Sequence, residues 1–330
     1  MRKILRKHEC LLLALIVVLC AAIGIKNPSF FTLVNAFDLL KSSVTLGILG
    51  LGVLIVLVSG NIDISFPAIA AFSMYVTCLL VPALGFTDHI VILFVVSATV
   101  GCLLGFLNAF FIYYFNLPAL IVTLGTGSLI RGCLLAFVGT RIITNLPSSM
   151  VEFSQACLFT QALPGGETFG LAASFPIFVV AAVLVWLVLN HMLLGRGIYA
   201  LGGAPEAARR VGFNIRGIQF FIYGSIGLLA GLAGIIHASN MRNANPRDFR
   251  GIELTVIAAV VVGGASITGG RGTVLGTILG VLLLVIINNS LILVGLPTEW
   301  HKVIIGSIII ASTAVTAWRA RGRQLSTVPT

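Results

Sequence analysis

Three ionisable side chains stand inside or at the edges of long apolar runs: Asp63, Arg131 and Glu253. A charge at the centre of a bilayer costs about 2.5–3.5 kcal/mol on insertion scales, so such residues face protein or water. Asp63 sits with Asn61 in VSGNIDIS, where two apolar runs meet. It is read either as a cap for the helix that follows or as a contact for a transported molecule. Glu253 opens ELTVIAAVVVGG, and the same two readings apply. Arg131 lies in IVTLGTGSLIRGCLLAF, far from both ends of its run, and is expected to pair with a carboxylate or with backbone carbonyls. The other polar concentration is Gly195–Arg216, GRGIYALGGAPEAARRVGFNIR. Gly202-Gly203 break the preceding element. Pro205 suits a first helical turn because it has no N–H to leave unpaired. Glu206 then complements the positive helix start, and Arg209 and Arg210 its negative end. Gly212 terminates it. The spacing predicts a helix of about two turns from Ala204 through Ala207 and Ala208 to Gly212, too short to stand alone. Either a protein groove holds it or its arginines rest on anionic lipid.

Other chemistries lack their residues. There is no G-x-x-x-x-G-K-[ST], and Gly269-Gly270-Arg271-Gly272 lacks the phosphate-binding lysine. If ATP drives this protein, a partner binds it. No HExxH or GxSxG occurs, so no catalytic residue is assigned. The histidines (His8, His89, His191, His237 and His301) are dispersed, and the six cysteines show no metal or disulfide spacing, so no metal site is assigned. The formal charge of +10 does not indicate nucleic acid, because the basic residues fall at the ends of apolar runs.

These groups must be positioned by membrane-spanning helices. The chain of 330 residues is 58% hydrophobic and only 9% charged, against about 25% charged in soluble domains. The mean hydropathy is +1.11. The fold class expected is an all-α polytopic membrane protein, residues 1–330 forming a single transmembrane domain. About ten spans are predicted: 9–25, 44–59, 63–82, 89–115, 119–138, 173–191, 217–238, 253–268, 274–294 and 301–318. The first is expected to remain as an uncleaved helix, since no clear cleavage site precedes a soluble region. Basic residues are denser at both termini and in 195–216, which places these in the cytoplasm. The stretch 139–172 then lies outside, as irregular structure that either connects helices or docks an external partner. Arg242, Arg247 and Arg250 also fall outside, against the charge rule. Gly101/Gly105, Gly227/Gly231 and Gly276/Gly280 form small-xxx-small pairs, which permit close helix approach.

Four blocks resemble the permease subunits of simple-sugar ABC importers, the group of ribose, galactose, xylose and autoinducer-2 permeases within the branched-chain amino-acid permease superfamily. They are Ser59-Gly-Asn-Ile-Asp-Ile-Ser65; Leu117 to Gly125 with Arg131-Gly132; Gly195 to Gly203 followed by Glu206-Ala-Ala208 and Gly212; and Glu253 to Gly272. They span roughly 59–290, in the family's order and spacing. Pro67 departs from the Val-Gly many members carry at that point.

The resemblance implies a type II ABC importer permease of the inner membrane. It implies a second permease, either a copy or a paralogue, two cytoplasmic ATPase subunits that bind ATP and Mg, and a periplasmic sugar-binding protein. Residues 204–212 would form the helix that couples to the ATPase. Rival readings are a branched-chain amino-acid importer subunit, an ion-coupled secondary transporter using Asp63, and a non-transporting scaffold.

Overall fold

The computed structural model describes residues 2–86, 88–162 and 168–293, with single positions at 300, 303, 306, 307 and 310. The expected span 301–318 therefore falls almost wholly outside the described residues. Among them, seven helices are long and apolar enough to cross a membrane. They are α1 (Arg2–Lys26, apolar from His8), α2 (Leu33–Val58), α3 (Phe66–Ala83), α4 (Ile90–Tyr114), α5 (Ala119–Phe137), α7 (Ser174–His191) and α10 (Ile215–Met241). The shorter helices are α6 (Ser148–Gln155), α8 (Leu193–Gly203), α9 (Pro205–Arg210) and α11 (Glu253–Val262), and α12 (Val274–Leu293) closes the described chain. This is a largely helical, polytopic membrane protein.

Burial orders the helices. From Gly47 to Val58 every residue of α2 is buried, as expected of a helix apolar on all sides. It packs against α10, α12, α7 and α11 and forms the centre of the core. The window of α1 is only 17% buried, which puts that helix at the periphery. Its His8 Nε2 lies 3.0 Å from the Val262 carbonyl, and Thr273 donates to Glu9 at 2.6 Å.

The tightest packing is between α4 and α10. A Cβ added at Gly101 or Gly105 would overlap the backbone at Gly227 or Tyr223. One added at Gly227 or Gly231 would overlap Gly101 or Ser97. With little hydrophobic drive between helices in lipid, backbone approach of this kind supplies the packing. Ser97 adds a hydrogen bond across the seam to the Gly231 carbonyl at 2.8 Å. Gly276 and Gly280 of α12 do the same against Gly263 and Ala259.

Three sequence expectations are corrected. The segment 253–268 is not one span: α11 ends at Val262, because Gly264 turns left-handed with φ +97°. Non-helical backbone at such a position persists only when protein satisfies it, and here Gly270 donates to the Val58 carbonyl at 2.9 Å and Ser266 to the Arg271 carbonyl at 3.0 Å. The stretch 139–172 is more ordered than expected, holding α6 and an antiparallel hairpin of β1 (Cys157–Ala162) and β2 (Thr168–Ala172). Finally, α2 begins at Leu33 rather than 44, since Thr32 caps it by accepting from the Asn35 amide at 3.3 Å.

Candidate functional site: a short exposed helix and its glycine junction

The segment read as a loop over 195–216 is two helices at an angle. α8 runs to Gly203, so Gly202-Gly203 end a helix as their composition indicates. Ala204 is the N-cap of α9 and Pro205 opens it, with Glu206 in the first turn and Arg209 and Arg210 in the last. Its six residues make less than two turns. The C-terminus closes as a Schellman motif: Phe213 donates to the Ala208 carbonyl at 3.2 Å and Gly212 to the Arg209 carbonyl at 3.0 Å. Gly212 supplies the left-handed residue the motif needs, at φ +88°. Ala208 is buried, while Pro205, Glu206, Ala207, Arg209 and Arg210 are exposed. Asn214 then caps α10, accepting from the Gly217 amide at 3.0 Å. Between α8 and α9 lies an apolar cup of about 270 Å³ lined by Ala200, Gly203, Ala207, Val211 and Phe213.

α8 bolts this exposed helix to the core. A Cβ at Gly195 would overlap the backbone of α7 at Val188 and Leu189, and one at Gly202 the backbone at Val58. Gly269 in turn abuts Gly202 and Gly60 at 2.6–2.8 Å from its hypothetical Cβ. Three breaks in helical structure, from distant parts of the sequence, thus meet at the base of α8. Tyr199 fastens the junction by donating to the Gly272 carbonyl at 2.7 Å. Burial holds its phenol above the ordinary range, so it stays a neutral donor. α9 is thus linked through α8 to the end of α2 and to 263–272.

The intramembrane polar residues resolve into separate groups. Arg131 on α5 and Glu253, at the start of α11, form an ion pair across 122 residues of sequence. Their side chains are 33% and 11% exposed, which marks an edge of the bundle rather than its centre. Glu253 is thus both at a helix start and a partner for Arg131. Asp63 is buried, and its Oδ1 accepts from the Ser65 amide at 2.6 Å and the Ser65 hydroxyl at 2.7 Å. This local turn holds the entry to α3, the N-cap position itself being Ser65. Asn108 of α4 donates to the Ser65 hydroxyl at 2.8 Å, and Thr123 of α5 accepts from the Ile64 amide at 3.3 Å. Asn61 does not join this cluster; it is half-buried and donates to Ser59 at 3.3 Å.

Sequence reasoning missed Asn108, Thr123 and Tyr199. Asn108 had a signal, an amide inside an apolar run. Tyr199 had none, because nothing local distinguishes it from any other tyrosine in an apolar stretch.

Comparison with known proteins places the chain in a family. Residues 35–313 match the model of a family described as branched-chain amino acid transport system / permease component. The ribose import permease protein RbsC of Escherichia coli is 30% identical over 300 residues, covering 91% of each chain. The autoinducer 2 import system permease protein LsrC of Yersinia pseudotuberculosis is 32% identical over 295 residues, covering 89% of this chain and 80% of that one. The probable ABC transporter permease protein YphD of Escherichia coli is 31% identical over 315 residues, covering 92% and 88%. No solved structure matches. The chain belongs to this family of permease components.

Proposed function

With that membership as the premise, we propose that this chain is the membrane permease of an ATP-binding cassette importer that moves a simple sugar or a sugar-like small molecule. The observation that carries this reading is near full-length similarity to permeases named for ribose and autoinducer 2. The amino-acid alternative rests on the family's broader description alone and is not favoured.

In this reading residues 1–330 form one transmembrane domain of about ten spans, of the type II importer kind. It lies in the inner membrane with both termini in the cytoplasm. Segment 195–216 is cytoplasmic and 139–172 periplasmic. A separate ATPase subunit binds ATP and Mg, and a second permease, a copy or a paralogue, completes the membrane part. A periplasmic binding protein delivers cargo. Ala204, Pro205, Glu206, Ala207, Ala208, Arg209, Arg210 and Gly212 couple to the ATPase. What supports this is the helix itself: it is exposed, capped at its C-terminal end and fixed through α8 to the glycine junction. Closure of the ATPase around ATP pushes α9, and the junction passes the displacement to α2 and to 263–272. A packed interface with two arrangements then switches access from one side to the other. Asn61, Asp63, Arg131 and Glu253 serve the pathway or its framework, with Arg131–Glu253 at an edge where a second subunit or water can reach it.

The test is uptake by proteoliposomes holding the whole complex. Glu206→Lys and Arg209→Glu are expected to abolish ATP-driven uptake while leaving membrane insertion and elution behaviour intact. Unchanged transport and coupled ATP hydrolysis would overturn the coupling assignment. Uptake driven by a proton gradient without an ATPase would overturn the importer reading.

A further inference from the structure

Arg216, in the first turn of α10, stands apart from the arginines of α9. Its guanidinium carbon lies over the ring of Tyr114, the last residue of α4, at 5.4 Å from the centroid. It lies 5.9 Å from the centroid of Phe220, one turn further along α10. Attraction between a cation and the face of an aromatic ring holds the group in this place. Arg216 is exposed and forms no ion pair among the described residues. A guanidinium that rests its face on a ring keeps its N–H donors in the plane, where a planar anion can meet them.

Below this cation the rings continue as an apolar strip. Tyr114 lies 5.0 Å from Phe110, and Phe106 lies 5.9 Å from Phe220, centroid to centroid. Phe106 also packs on α10 at Gly224, where an added Cβ would strike its ring. Leu103, Phe106, Leu107, Phe110 and Tyr114 are all exposed, at the spacing of one helix face. The most apolar window of α4 is only 22% buried, which leaves this face to lipid. From Leu103 to Tyr114 the strip is about 16 Å long at 1.5 Å per residue, close to half of a hydrocarbon core of about 30 Å. A strip as deep as one leaflet thus ends at a stacked cation.

We propose that Arg216 and Tyr114 bind the phosphodiester of one acidic phospholipid, whose acyl chains lie along Leu103, Phe106, Leu107 and Phe110. Its assignment to the cytoplasmic leaflet rests on the topology proposed above. Charge complementarity names the headgroup: a guanidinium gives a phosphate two parallel, charge-assisted hydrogen bonds. A zwitterionic headgroup brings its own cation to that phosphate and an acidic one does not. Tyr114 adds a ring that is apolar towards the chains and a hydroxyl at the depth of the headgroup. Free phosphate meets the same guanidinium but has nothing to lay along the strip.

The experiment is native mass spectrometry of the full chain, purified in detergent with whatever subunits accompany it. It is titrated with phosphatidylglycerol and with phosphatidylcholine of the same acyl chains. The wild type is expected to prefer phosphatidylglycerol. Arg216→Gln should weaken that lipid about fivefold, the worth of one arginine near an anionic surface, and leave phosphatidylcholine unchanged. Arg216→Lys keeps the charge without the planar fork and should fall between the two. Equal binding of phosphatidylglycerol by the wild type and Arg216→Gln overturns the proposal. So does an equal loss in Arg250→Gln, an exposed arginine beyond the other end of α10, because net charge alone would then govern binding. Displacement of the lipid by inorganic phosphate at the same concentration would make this a free-anion site and overturn the lipid. Loss of an accompanying subunit from Arg216→Gln at unchanged lipid affinity would mark a protein contact instead. Detergent has no leaflets and the titration needs no transport, so these outcomes are distinct from failure of the topology or of the importer reading.

Discussion

Gly101 and Gly105 on α4 lie against the backbone of α10, whereas a Cβ added at Gly125 or Gly132 on α5 would meet nothing within 4 Å. The two regions carry the same residue type at helical spacing. In the first, glycine is what allows two backbones to touch, and Gly227 and Gly231 reciprocate from the other side. In the second, the stripe through Gly125, Ser128 and Gly132 is exposed, and α5 is held from behind, where a Cβ added at Gly127 would lie 3.4 Å from the Ser65 backbone. α5 also carries the partly exposed Arg131. A small-residue pattern therefore reports that close approach is permitted, not that it occurs within the chain. Its partner is decided by what the fold brings to that face.

The largest expected effect comes from filling the seam. Gly227→Leu must displace backbone, and since overpacking of soluble cores alone costs about 1–3 kcal/mol, it is expected to abolish a monodisperse species in detergent. Gly132→Leu should elute and melt like the wild type. Equal damage by both would break the distinction between seam and open face. Next is the tie of α5 to α11. Arg131→Met or Glu253→Met should each cost about 1–3 kcal/mol, below the value for a fully buried pair because Arg131 is one-third exposed. The double variant should lose less than the sum of the singles, and additive losses in thermal melts would show that the pair is not coupled. The turn behind α5 is weaker. Asp63→Ala removes an acceptor of two hydrogen bonds and should cost about 1–2 kcal/mol, with Asp63→Asn milder because it keeps an acceptor oxygen. Equal melting of the two would remove this turn from the account of how α3 begins. Smallest is Gly125→Ala, expected to shift stability by no more than about 1 kcal/mol, since alanine favours helix and no neighbour resists it.

Much of the segment 195–216 was legible. Pro205, Glu206, the two arginines and Gly212 are local signals, each acting within one helical turn, and α9 begins and ends where they indicate. The span over 253–268 was misread for an equally local reason. Hydropathy counts apolar side chains and does not register that Gly264 leaves the helical region. The sequence left Arg131 to pair with either a carboxylate or backbone carbonyls, and the carboxylate that does so lies 122 residues away. Both Glu253 and Arg131 were visible as isolated charges; that they are one pair was not. Asn108 was overlooked because a single amide barely alters a hydropathy window, though it braces the Ser65 hydroxyl.

The sequence by itself determined that this chain lives in a bilayer and which end of α9 is which, because composition and caps need no long-range partner. Tertiary structure alone decided which glycines touch, that three broken segments meet at Gly60, Gly202 and Gly269, and that Arg216 lies over the ring of Tyr114. Those outcomes depend on surfaces coming together from distant positions, and a glycine or an arginine carries the same chemistry wherever its neighbours lie.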